Sequence, residues 1–144
     1  RQVALVPTLV NIQTFPSIAA RAESKYPVYA AHMRSLHQRH VDTVGKAVDA
    51  GVPVYAGTDA GGTIAHGQIP TEIRLLSQLR DPLFGLGAAS WRARSWLTGD
   101  QAAAGLGVGA AADLLVLDAD PRRDVTAIAH PTFVVLRGRV LRDR

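Results

Sequence analysis

The stretch Gly51-Val52-Pro53-Val54-Tyr55-Ala56-Gly57-Thr58-Asp59-Ala60-Gly61-Gly62 constrains this chain most: an apolar run stops on a single Asp and opens into a glycine loop. A short run rich in Val and Tyr, entered through Gly51 and left through Gly57 and the Gly61-Gly62 pair, has the length and flanks of a strand buried on both faces. Such strands belong to parallel α/β sheets. Before it, residues 40–50 place Val41, Val44 and Val48 at helical spacing, with Asp42, Lys46 and Asp49 on other faces and Gly51 as the C-terminal cap. After it, residues 71–79 carry Ile73, Leu75, Leu76 and Leu79 on one stripe behind Pro70, which suits a helix's first turn. The predicted order is helix, strand, loop, helix. In such units catalytic groups sit in loops at the carboxyl ends of strands, which is where Asp59 lies. The same Asp also fits a cap on the following helix or a hydrogen-bonding role in the Gly61-Gly62 turn.

Residues 15–40 read as a long connection of two helices, broken near Pro27 because a residue before proline is pushed away from helical geometry. His32, His37 and His40 cluster there, and His37 and His40 share a helical face. Two histidines on one face can bind zinc, but the His-Glu-x-x-His pattern and a nearby carboxylate are missing, so a solvated face is the simpler reading. Gly85-Leu86-Gly87-Ala88-Ala89-Ser90 approximates a dinucleotide fingerprint without its third glycine or its preceding strand. It reads better as the start of a helix that turns Leu86, Ala89, Ala93, Trp96 and Leu97 inward and stops at Thr98-Gly99. Gly105, Gly107 and Gly109 alternate in a loop that feeds a strand over 113–118. Residues 120–124 form a turn or loop, and 133–141 a hairpin turning at Arg137-Gly138.

The net charge of +4 invites a nucleic-acid reading, and the distribution argues against it. Arg21, Arg34, Arg39, Arg74, Arg80, Arg92 and Arg94 are interleaved with Glu23, Asp42, Glu72 and Asp81, not aligned in a stripe with stacking aromatics. Only Arg137, Arg139, Arg142 and Arg144 are locally basic, and solvated strand faces account for them. The chain has no cysteine, which excludes disulfides and thiolate metal sites within it. No apolar run approaches the roughly 20 residues of a membrane helix. The expectation is a chain with neither nucleic-acid nor membrane partners.

Three motifs in order carry a resemblance. Gly57-Thr58-Asp59-Ala60-Gly61, followed by Ala65-His66-Gly67 and by Glu72 opening a helix, resembles the last barrel strand of the metal-dependent amidohydrolases, in the imidazolonepropionase-like and prolidase-like branch. The stretch Gly107-Val108-Gly109-Ala110-Ala111-Ala112-Asp113-Leu114-Leu115-Val116-Leu117-Asp118, with Asp120-Pro121, is similar to that family's return segment, loosely at Ala110 and Ala111. Val3-Ala4-Leu5-Val6-Pro7-Thr8-Leu9-Val10 resembles the preceding barrel strand with its Pro-Thr-Leu ending. The resemblance implies an α/β fold: residues 1–105 as the last two β/α units of a TIM-like (β/α)8 barrel, and 106–144 as the C-terminal strands of a small β-sandwich. A whole barrel needs about 250 residues, and this chain has 144. The family's His-x-His pair, its bridging Lys or Glu and its two single histidines have no counterpart here. With Arg1 lying just before a strand signal, the chain is expected to be the C-terminal part of a longer enzyme, partnered by the missing N-terminal part.

The resemblance further implies metal-assisted hydrolysis of a C–N bond in a small-molecule amide, dipeptide or cyclic amide, with one or two divalent ions, zinc foremost. Asp59 is then a metal ligand and the catalytic carboxylate, which takes the proton of the attacking water and passes it to the leaving nitrogen. His66, in the same glycine-rich loop, is a candidate for substrate binding, with a loop histidine bonded to nearby backbone as its alternative. Thr8 is a weaker substrate-binding candidate, and Thr58 an orienter of the turn. A homo-oligomer in a cytoplasmic setting completes the expectation. Two other classes stand beside it: a catalytically silent relative acting as a binding or scaffolding subunit, and a nucleotide-binding α/β module, which would need a phosphate loop this chain lacks.

Overall fold

The computed structural model describes residues 3–101 and 105–143. Two extended segments lie side by side in parallel at its centre, joined by a bridge between Leu5 and Val54. The Leu5 N–H donates to the Pro53 carbonyl at 2.8 Å and the Tyr55 N–H to the Leu5 carbonyl at 3.0 Å. The two predicted strands are thus reduced to a single parallel bridge, with no extended strand at either segment among the described residues. The first of them ends sooner than expected: Leu9 and Val10, read as strand, open a helix, α1 (Leu9–Ile12). Thr8 turns the chain with φ of 48°, and two amides of the new helix find a carboxylate acceptor on a distant helix.

The connection between the segments holds α2 (Phe15–Ala22) and the 23-residue α3 (Pro27–Asp49). Proline sits in the first turn of each, where its missing N–H costs nothing. The helix predicted over 40–50 is thus the last part of α3, and Gly51 follows it at φ of 80°. After the second segment come α4 (Ile69–Ser77), α5 (Pro82–Ala89) and α6 (Trp91–Thr98). The single helix expected from Gly85 to Thr98 is two helices that break at Ser90, and the first begins earlier because Asp81 caps it, accepting from the Phe84 N–H at 2.8 Å. Gly85 lets α5 approach α4 closely: a Cβ there would overlap the Ile73 carbonyl and the Ser77 hydroxyl.

The central core joins Leu9 and Val10 of α1, Val44 of α3, Val54, Ile64, Leu75 and Leu76 of α4 and Ala88 of α5. Each fully buried Leu or Val contributes about 1.5–3 kcal/mol, so this cluster holds the paired segments and their helices as one body. Ala19, Ala30 and Met33 form a second cluster between α2 and α3. The last part of the chain forms an antiparallel sheet, β1 (Leu114–Val116), β2 (Phe133–Leu136) and β3 (Arg139–Asp143), in sequence order. A 3-10 helix (Val125–Ala129) between β1 and β2 rests on α4 and buries Ile128. The Asp113 carboxylate ties the sheet to α6: it accepts from Arg94 Nη1 at 3.1 Å and from the Arg137 N–H at 2.7 Å, and these bonds hold its pKa below the ordinary value.

Candidate functional site

Thr8 and Asp59 follow the two paired segments at the same end, three residues beyond Leu5 and five beyond Val54. Both have left-handed backbone, φ of 48° and 55°. Asp tolerates that region; a β-branched Thr there is an outlier of the kind that clusters at functional corners. Gly57 lets its segment approach the first one closely: a Cβ at that position would overlap Val6 Cγ1 and stand 3.7 Å from the Thr8 methyl.

Asp59 is exposed and accepts a hydrogen bond from Asn11 Nδ2 at 2.7 Å through its Oδ2. Neither of the two structural alternatives for Asp59 is seen. The Gly61 N–H donates to the Ile64 carbonyl at 3.0 Å, and α4 begins at Ile69 with Gln68 as its cap. His66 lies on the exposed part of the loop, and among the described residues it makes no hydrogen bond that would anchor it to backbone. Thr8 is half-buried and its side chain does not cap α1. Thr58 is half-buried.

Glu72 is the residue that sequence reasoning undervalued. The helix it is expected to open begins three residues earlier, at Ile69, and Glu72 in its first turn is completely buried. Its two carboxylate oxygens accept from the Leu9 N–H at 2.9 Å and the Val10 N–H at 2.7 Å. The first amides of a helix have no partner within it, so Glu72 of α4 supplies the cap that Thr8 does not. Burial raises the Glu72 pKa above its ordinary value, against the two backbone amides, which act to lower it. A signal was present: at spacings of three and four from Leu75 and Leu76, Glu72 lies on the buried stripe of α4, where an acid needs a built-in partner.

The histidine cluster divides. His32 is exposed, whereas the His37 and His40 rings lie 5.2 Å apart and His40 Nε2 is 3.2 Å from Gln13 Nε2. Among the described residues no group of three His, Cys, Asp or Glu side chains could hold a metal ion. Asp59 fits such an ion as a single ligand, exposed and with Oδ1 hydrogen-bonded to none of the described residues, and every other ligand would have to come from elsewhere. A cavity of about 790 Å³ lies along 51–55 against Phe84, Trp91, Arg92 and Trp96, and none of Thr8, Asp59 or His66 lines it. Among the described residues no helix is long and apolar enough to cross a membrane.

Comparison with solved structures supplies the context for this geometry. A prolidase complexed with N-methylphosphonate-L-proline aligns with 99% of this chain and 35% of its own, at 25% identity and a TM-score of 0.78. A Bifidobacterium longum protein assigned as a prolidase aligns with 96% of this chain and 35% of its own, at 28% identity and a TM-score of 0.80. The chain shares its fold with the prolidase-like amidohydrolases. An ochratoxinase of A. niger has the same fold, with a TM-score of 0.76 at 23% identity over 99% of this chain and 33% of its own. Uncharacterized proteins of Mycobacterium tuberculosis (strain H37Rv) and Mycobacterium bovis are 50% identical over 137 residues, 94% of this chain. The chain spans 36% of the length of these curated relatives. No protein-family model matches it.

Proposed function

We propose that the chain is part of a metal-dependent hydrolase that cleaves a C–N bond in an amide, a dipeptide or a cyclic amide. One observation carries the reading: Asp59 stands at the carboxyl end of a paired segment, exposed, with Oδ2 held by Asn11 and Oδ1 bonded to none of the described residues. The likeness to a prolidase structure that holds a proline-containing ligand supports an Xaa-Pro or related amide as substrate. In this reading the two parallel segments and their helices are the last two units of a (β/α)8 barrel in 1–105, and β1 to β3 belong to a composite β-sandwich in 106–144. The rest of the barrel and the remaining ligands come from the whole protein.

Asp59 is one ligand of the metal, zinc foremost. When bound, such an ion would lower the pKa of its water to about 7 and polarise the carbonyl under attack. Asp59 accepts the proton of the attacking water and returns it to the leaving nitrogen, because a carboxylate can ligate with one oxygen and bind a proton with the other. His66, exposed in the loop beyond Asp59, contacts the substrate from solvent's side, and Thr8, whose methyl lies close to Gly57, contacts it from the first segment. The working enzyme is a homo-oligomer of the whole protein in the cytoplasm.

The test is Asp59→Asn in the whole zinc-loaded protein, assayed against Xaa-Pro dipeptides and N-acyl amino acids. The amide keeps the shape and is a poor base, so turnover falls about 100-fold to 10,000-fold with the fold retained. Turnover near wild type at matched zinc content would overturn the role of Asp59. A wild-type protein that binds zinc and hydrolyses nothing in the panel would favour the silent binding subunit.

A further inference from the structure

The Asn11 side chain has a defined orientation. The Thr14 hydroxyl donates to the Asn11 carbonyl at 2.7 Å and lies 3.5 Å from Asn11 Oδ1. The amide oxygen therefore faces Thr14, and Nδ2 faces Asp59 Oδ2 at 2.7 Å. The short helix that carries Asn11 is itself pinned, because the buried Glu72 carboxylate holds the Leu9 and Val10 amides. A chain of contacts thus runs from the core side of α4, through α1, to the exposed carboxylate at the end of the second segment.

We infer that Asn11 is a positioning residue for Asp59, fixing the rotation of its carboxylate and making its two oxygens unequal. The inference rests on the catalytic reading of Asp59. An exposed Asp side chain rotates among several orientations; a donor on one oxygen removes that freedom. Oδ1 is left as the oxygen that no described side chain holds. Groups that orient a ligating carboxylate in this way are worth about 10- to 100-fold in metal affinity or activity. If the Asn11–Asp59 bond only tied α1 to the loop, its loss would lower stability and leave both quantities unchanged.

The experiment uses the whole protein with four variants: Asn11→Ala, Asn11→Asp, Asp59→Asn, and the double variant Asn11→Ala with Asp59→Asn. Zinc affinity is read by competition with a chromophoric chelator, kcat and KM are read on the best Xaa-Pro dipeptide, and stability by urea unfolding. Asn11→Ala and Asn11→Asp are expected to lose about 10- to 100-fold in kcat or zinc affinity, with KM little changed. The nearly isosteric Asn11→Asp, which faces Asp59 with a second carboxylate, should be at least as impaired as Asn11→Ala. In the Asp59→Asn background, Asn11→Ala should weaken zinc no further, because its effect passes through Asp59. Wild-type kcat and zinc affinity in Asn11→Ala, beside an inactive Asp59→Asn, would overturn the positioning role alone. So would additive losses of zinc affinity in the double variant. An active Asp59→Asn would overturn the catalytic reading itself, and the role of Asn11 with it.

Discussion

Replacing Glu72 by Ala is the sharpest stability test this structure offers. Glu72 is completely buried and takes two backbone amides of α1 at 2.9 and 2.7 Å. Alanine leaves both amides without an acceptor, at about 1–3 kcal/mol for each buried donor, so about 2–6 kcal/mol in all. Removing the carboxylate also relieves its own burial penalty, which places the expected loss at the lower end, about 2–4 kcal/mol. Glu72→Gln separates the terms: its one carbonyl oxygen serves one amide while its NH2 confronts the other, so about 1–3 kcal/mol is lost for a single orphaned donor. Urea unfolding at neutral pH, followed by circular dichroism, measures both variants, with an unchanged m-value showing that the transition has kept its character. A Glu72→Ala protein within about 0.5 kcal/mol of wild type, the range of an ordinary surface change, would refute the clamp. It would mean that α1 is held by its apolar contacts alone.

Three further outcomes are expected. Burial raises the Glu72 pKa above 4.5, so the folded state keeps this proton to higher pH than the unfolded state, and the contribution of Glu72 to stability falls as pH rises through the window above 4.5; the advantage of wild type over Glu72→Gln should be smaller at pH 7 than at pH 4, and a larger advantage at pH 7 would contradict the direction. Gly85→Ala should cost more than the 1–3 kcal/mol typical of overpacking, because its methyl would meet the Ile73 carbonyl, which is backbone; an unfolding midpoint equal to wild type would show that α4 and α5 can separate freely. His66→Ala should lower kcat/KM about 5-fold to 150-fold, the range for one lost hydrogen bond, and leave the unfolding midpoint in place; the reverse pattern would make His66 a loop anchor.

Much of the fold was legible because it follows periodicity. The stripe of Ile73, Leu75 and Leu76 and the hairpin around Gly138 are local patterns, and each forms close to its expected place, whereas the apolar run ending at Asp59 forms one bridge, at Val54, and no full strand. The misplaced element, α1, depends on a partner that sequence distance hides: Glu72 lies 63 residues from Leu9. Val and Leu after Pro7-Thr8 look like strand until an acceptor for two free amides is known to stand nearby. The break at Ser90 between α5 and α6 is likewise set by packing, where a Cβ at Gly87 would press on the Trp91 ring. At the candidate site, Asp59 stood out because a lone acid ended an apolar run. Asn11 did not, because an Asn after Pro-Thr-Leu-Val has no local signature of reaching across to Asp59.

A crystal structure of the whole protein with zinc, located by anomalous scattering at the zinc edge, tests the central claim most directly. The expected result is a metal bonded to the Asp59 carboxylate, with histidines from outside residues 1–144 completing the coordination and the Asn11 amide still on Oδ2. A zinc bound elsewhere, with Asp59 facing solvent and touching neither metal nor substrate, would contradict it.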